Sequence, residues 1–205
     1  MTYLILGFIT GLSLILAIGA QNIFVIEQGL KKEFIFIVCL ICALSDFLLI
    51  FFGIFIFNYF QNFFTSLIEF ILNILLLIFL LNFIRVKIYS EIHKLNLNEK
   101  KVKYPLLVVI YKTLGFTYLN PHVYSDTVFF LGNFSKDFLI NQKILFGVGA
   151  SISSFIFFFI IGYMSKFLSN YLNTTKIWKI INVLIIIFMS TLAFYVLINI
   201  FNIFN

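Results

Sequence analysis

Residues 105–132 read PLLVVIYKTLGFTYLNPHVYSDTVFFLG. Only Lys112 and Asp126 are charged in this run, which exceeds the roughly 20 mostly apolar residues a helix needs to cross a bilayer. Midway it meets Asn120-Pro121-His122, and a proline inside a helix removes a hydrogen bond and crowds the turn before it. The stretch therefore reads as a membrane helix with a polar break.

Working outward, similar apolar runs lie at Tyr3–Ile26, Phe34–Asn58, Phe63–Ile84, Ile144–Ser165 and Ile180–Ile203. The whole chain of 205 residues is 62% hydrophobic and 11% charged, against about 45–50% and 25% in soluble domains. Too little charge is present to cover a surface in water, and too much apolar matter for disorder. The runs are continuous rather than alternating, which excludes an outer-membrane barrel. The expectation is an all-α integral membrane protein with six transmembrane helices, spans 1 and 4 interrupted, over a single membrane domain, 1–205.

Basic residues set the orientation. Lys31, Lys32, Arg85, Lys87, Lys94, Lys100, Lys101, Lys103, Lys166, Lys176 and Lys179 fall on one side of a six-span topology, and only Lys136 and Lys143 on the other. The first side, with the polar segment 85–104, is expected in the cytoplasm and both termini outside; a re-entrant first run would instead put the N-terminus inside. The net charge of +6 reports this asymmetry rather than a nucleic-acid surface. The first run has no basic leader and no small-residue cleavage site, so it is not read as a signal peptide.

Segment 85–104 separates two halves of three spans, 1–84 and 105–205. An odd number of spans per half requires inverted-topology repeats. Each half opens on a broken span: Gly19-Ala20-Gln21-Asn22 in the first and Asn120-Pro121-His122 in the second. Ser45-Asp46 followed by Gly53 corresponds loosely to Ser153-Ser154 followed by Gly162. Breaks free backbone polar groups that must face protein or a wet cavity, which points to a midplane site made of Gln21, Asn22, Asn120, Pro121 and His122.

Asp46 lies thirteen residues into its run, about 20 Å deep at 1.5 Å per residue. A carboxylate there must face the bundle interior with a partner; a cation or proton site is preferred over an interhelical staple. Asp126 follows the second break and Lys112 precedes it, so an Asp46–Lys112 or Asp126–Lys112 pair would hold charge in the membrane. His122, an imidazole directly after the break, is read either as a proton relay or as a hydrogen-bond donor to a freed carbonyl. Glu27 and Glu69, near span ends, are expected to reach solvent, and Asn73 and Asn82 to bond between helices. Cys39 and Cys42, within VCLICALSD, are read as packing residues, since thiols buried in apolar surroundings are inert. The rival of a different class is a membrane thiol oxidoreductase. No metal site, catalytic motif or cofactor loop is expected.

The segments GLSLILAIGAQNIFVIEQGLKKEF (11–34), CALSDFLLIFFG (42–53), LGFTYLNPHVYSDTVFFLG (114–132) and FGVGASISSFIFFFIIGY (146–163) together resemble the LysE-type lysine/arginine exporters. The resemblance implies a bacterial inner-membrane carrier, not an enzyme, that expels lysine or arginine at the expense of the proton-motive force. Its partners would be the basic amino acid, protons and lipid, and a homo-oligomer is compatible with it. Gln21, Asn22, Asp46, Asn120, Pro121, His122 and Asp126 carry over as substrate and translocation residues; Lys112 and Ser154 join them from position alone. Glu27 departs from the pattern, standing where this branch often has Arg. A carrier of neutral amino acids or cations on the same fold is the alternative.

Overall fold

The computed structural model describes residues 1–16, 19–60, 66–96, 104–169 and 175–202. The described residues form helices joined by short connections: α1 (Thr2–Ile15), α2 (Ala20–Lys31), α3 (Ile35–Phe60), α4 (Ser66–Asn96), α5 (Leu106–Tyr118), α6 (Pro121–Tyr124), a π-helix (Ser125–Phe130), α7 (Leu131–Phe134), α8 (Ile140–Ser169) and α9 (Thr175–Asn202). Apolar stretches within α3, α4, α8 and α9 are each long enough to cross a bilayer, and α1 with α2 supplies a fifth span if the bent pair counts as one. The protein is therefore an all-helical, multi-pass membrane protein. The expected fourth span is divided: α5 has 13 residues, and the chain continues through α6, the π-helix and α7. α4 runs past its apolar stretch to Asn96, so the polar segment expected from Arg85 begins as helix.

Both expected breaks are present. α1 and α2 meet at 82°, with the interruption just ahead of Ala20, so that Gln21 and Asn22 open α2 rather than occupying the gap. α5 ends at Tyr118, and Asn120 caps the next helix with Pro121 at its first position, where the missing N–H removes nothing.

Packing directions follow from close backbone approaches. A side chain at Gly7 or Gly149 would strike the carbonyl oxygen of Phe146 or Leu4 respectively, and one at Gly29 would strike that of Gly162. Residues 7, 11 and 29 thus meet 146, 150 and 162 in order, and the bent pair runs beside α8 in the same direction. In the same way Gly53 abuts Thr127 and Val128, and Phe57 abuts Gly132, so α3 runs with the chain beyond the second break. α3 also packs on α8, and α4 on α9. With no hydrophobic drive between helices in lipid, such small-residue contacts carry association.

Candidate functional site

The two breaks face each other. A Cβ added to Gly19 would lie 3.9 Å from Asn120 Nδ2. A side chain bridges each break: Asn22 Nδ2 donates to Ile15 O at 3.1 Å, and Tyr124 Oη to Tyr118 O at 2.9 Å. These bonds satisfy carbonyls that the interruption would leave open. Asn120 Oδ1 accepts from His122 N at 3.1 Å. Gly19 stands at the N-cap of α2 and, having no side chain, makes no side-chain capping bond there.

Between the breaks lies a cavity of about 240 Å³, lined among others by Gln21, Asn22, Asp46, Asn120, His122, Asp126 and Ser154. One water needs only about 10–15 Å³, so the cavity has room for a small metabolite. Seven residues singled out from sequence thus share one hollow. Asp46 is buried and accepts from Ser154 Oγ at 2.6 Å through Oδ2, a bond that joins α3 to α8. The Gln21 amide stands beside the same carboxylate as a second neutral hydrogen-bonding group, so that Asp46 meets a hydroxyl and an amide and no cation, and all three residues line the cavity. Asp126 brings a second carboxylate to the same space from the π-helix, and such wide turns recur at functional sites.

Two expected members lie elsewhere. Pro121 starts α6 without lining the cavity. Lys112 is also absent from the wall, and it pairs with neither aspartate: its ammonium lies 4.0 Å from the Tyr104 ring centre and 5.6 Å from that of Phe83. The reason is register, because eight residues along α5 carry Lys112 about 12 Å from Asn120, past the buried Phe116.

The expectation that Glu27 reaches solvent is also corrected. Glu27 is 3% exposed, and its Oε1 forms ion pairs with Nζ of Lys31 at 2.5 Å and of Lys87 at 2.7 Å. A short path to the helix end suggested water, but α4 brings an ammonium to it first. Asn82 is exposed, and Asn73 is buried with Nδ2 unpartnered. The Glu69 side chain and those of Lys94, Lys100, Lys101, Lys103, Lys176 and Lys179 lie outside the described residues.

Sequence reasoning missed the walls given by α4 and α9: Leu76, Leu80, Leu192, Tyr195 and Val196. Tyr195 stacks on His122, ring centres 5.7 Å apart. Only the tyrosine, a polar-tipped ring in an apolar run, could have signalled this. Cys39 and Cys42 are free, buried and off the cavity wall. Cys39 Sγ donates to Phe158 O at 3.2 Å.

The chain is similar in sequence to curated proteins over nearly its whole length. The chain is 31% identical to the "Arginine exporter protein ArgO" of Salmonella enteritidis, over 94% of this chain and 92% of that protein. It is 30% identical to the protein of that name from Salmonella typhimurium, over the same shares. No solved structure matches the chain. The family model for LysE type translocators matches residues 12–200, and the chain belongs to that family.

Proposed function

We propose that the protein is a secondary active exporter of basic amino acids, arginine foremost and lysine with it, in the bacterial cytoplasmic membrane. The observation that carries this reading is the pair of carboxylates, Asp46 and Asp126, on one cavity between two broken helices. A basic amino acid presents an α-carboxylate at one end and positive groups besides. The N-terminal end of α2, which reaches the cavity wall at Ala20 and Gln21, suits the carboxylate, because helix N-termini favour anions. Asp46 and Asp126 suit the cationic groups, with Ser154 holding Asp46 in place. The relatives' printed names, arginine exporters, support arginine as the first cargo to test.

In this reading residues 1–84 and 105–205 are inverted repeats about the segment 85–104. The packing pattern agrees with such an exchange: the first broken helix lies on α8 as the second lies on α3, while α3 with α8 and α4 with α9 pair across the halves. The end carrying Lys31, Lys87 and Lys112 is the cytoplasmic one, by the excess of basic residues there. Export against a gradient draws on the proton-motive force, with His122 and the two aspartates as the groups available to carry a proton. Counterflow of labelled arginine, lysine and threonine in proteoliposomes, with and without an imposed proton gradient, tests cargo and coupling together. Exchange of threonine alone, or none at all, would reject the reading.

A further inference from the structure

Beyond the cavity, toward the basic end, the same order of residues repeats on three helices. On α2, Asn22 lines the cavity, Phe24 follows, then Glu27 and Lys31. On α4, Leu80 lines the cavity, Phe83 follows, then Lys87. α5 runs the other way, from Asn120 back through Phe116 to Lys112. From each phenylalanine outward to the charged residues the steps are three or four, which keeps them on one helix face. The three phenylalanines are buried and touch in a triangle: ring centres lie 5.0 Å apart for Phe24–Phe116, 5.1 Å for Phe83–Phe116 and 6.4 Å for Phe24–Phe83. Outside them Glu27 binds Lys31 of its own helix and Lys87 of α4. Lys31 and Lys112 flank the Tyr104 ring, at 5.4 and 4.0 Å from its centre. His122 and Tyr195, which also line the cavity, are exposed.

We propose that the Phe24–Phe83–Phe116 triangle and the Glu27–Lys87 ion pair form a two-layer gate, shut here, which closes the cavity toward the basic end. This rests on the transport reading, since only a carrier needs to close one side of its site. Opening requires α2 to part from α4 and α5, which takes Phe24 off Phe83 and Phe116 and Glu27 off Lys87 in one movement. The layers have different parts. Aromatic burial excludes water, whereas a buried ion pair adds little net stability because desolvation offsets its attraction. It does fix register, so the helices can reclose only in the matching position. Glu27 Oε2 is buried with no hydrogen-bond partner, which leaves the closed state short of full polar satisfaction and the gate able to open.

The test reads access without any cargo, so it stays informative if arginine is not transported. In full-length protein with Cys39→Ala and Cys42→Ala, a reporter Leu76→Cys sits on the cavity wall. Membrane-impermeant maleimide is applied to right-side-out and inside-out vesicles. The closed gate predicts labelling at least about tenfold slower from the basic end than from the other side. Glu27→Gln and Lys87→Gln, which break the pair from opposite partners, should each raise basic-end labelling about tenfold, a change of about 1.4 kcal/mol in the gate equilibrium. Phe116→Ala should do the same from the inner layer, and it carries the test if either charge variant fails to accumulate as a monodisperse protein. Equal labelling from both sides of the parent would overturn the gate. So would unchanged basic-end labelling in the accumulating variants, and a response to Glu27→Gln but not Lys87→Gln would overturn the ion pair as its outer layer.

Discussion

Asp46 and Glu27 are both buried carboxylates in apolar helices, and their surroundings differ in kind. Asp46 meets only neutral groups, the Ser154 hydroxyl and the Gln21 amide, and lines a cavity. Glu27 is gripped by two ammonium groups and lies off that wall. A buried charge must be compensated, and the manner of compensation separates the roles. A carboxylate whose countercharges come from the protein fastens helices together. One with only neutral partners is left for a countercharge from outside.

The contrast can be broken most directly at Asp46. Asp46→Asn keeps the shape and removes the charge; arginine efflux from loaded proteoliposomes should fall at least about 100-fold, equivalent to roughly 2.7 kcal/mol, with the protein still inserted. Efflux close to that of the parent would strip Asp46 of its role. Glu27→Gln should act on stability instead. It leaves Lys87 buried without its carboxylate, a loss of about 3–5 kcal/mol for a broken buried pair, read as a lower midpoint in a detergent thermal-shift assay.

Next comes the glycine seam. Gly149→Ala must push against the Leu4 carbonyl, at a cost of about 1–3 kcal/mol for overpacking, whereas Gly19→Ala meets only Asn120 Nδ2 at 3.9 Å and should leave the melting midpoint unchanged. Ser154→Ala removes a bond to a carboxylate, worth about 1.5–3 kcal/mol. It should weaken arginine efflux less than Asp46→Asn does. The smallest effect belongs to the double variant Cys39→Ala, Cys42→Ala, which should retain efflux within about twofold, as expected for buried thiols without a chemical role. Lost efflux there in well-folded protein would revive the thiol reading.

What sequence revealed was whatever contradicts a membrane helix locally. Asp46 in an apolar run, and the Asn-Pro and Gly-Ala-Gln-Asn interruptions, are costly in hydrocarbon and therefore conspicuous. They delivered seven of the residues that line the cavity. Leu76, Leu80 and Leu192 belong where any membrane helix has leucine, so nothing distinguished wall from lipid face. Glu27 was misjudged because depth was reckoned along one helix, while its partner Lys87 arrives from another, sixty residues on. Lys112 was misplaced for the converse reason. Flanking a break in sequence put it near the aspartates, but Phe116 and two turns of α5 separate it from them.

The wide turn at Ser125–Phe130 behaves like an ordinary helix carrying one surplus residue, and each residue turns an α-helix by about 100°. The segment before it, which presents His122 to the cavity, and the one after it, which seats Gly132 against Gly53, are thereby out of phase. Deleting one residue there would regularise the helix yet swing one of these faces off target. The surplus residue lets a single span address a hollow at one end and a neighbouring backbone at the other.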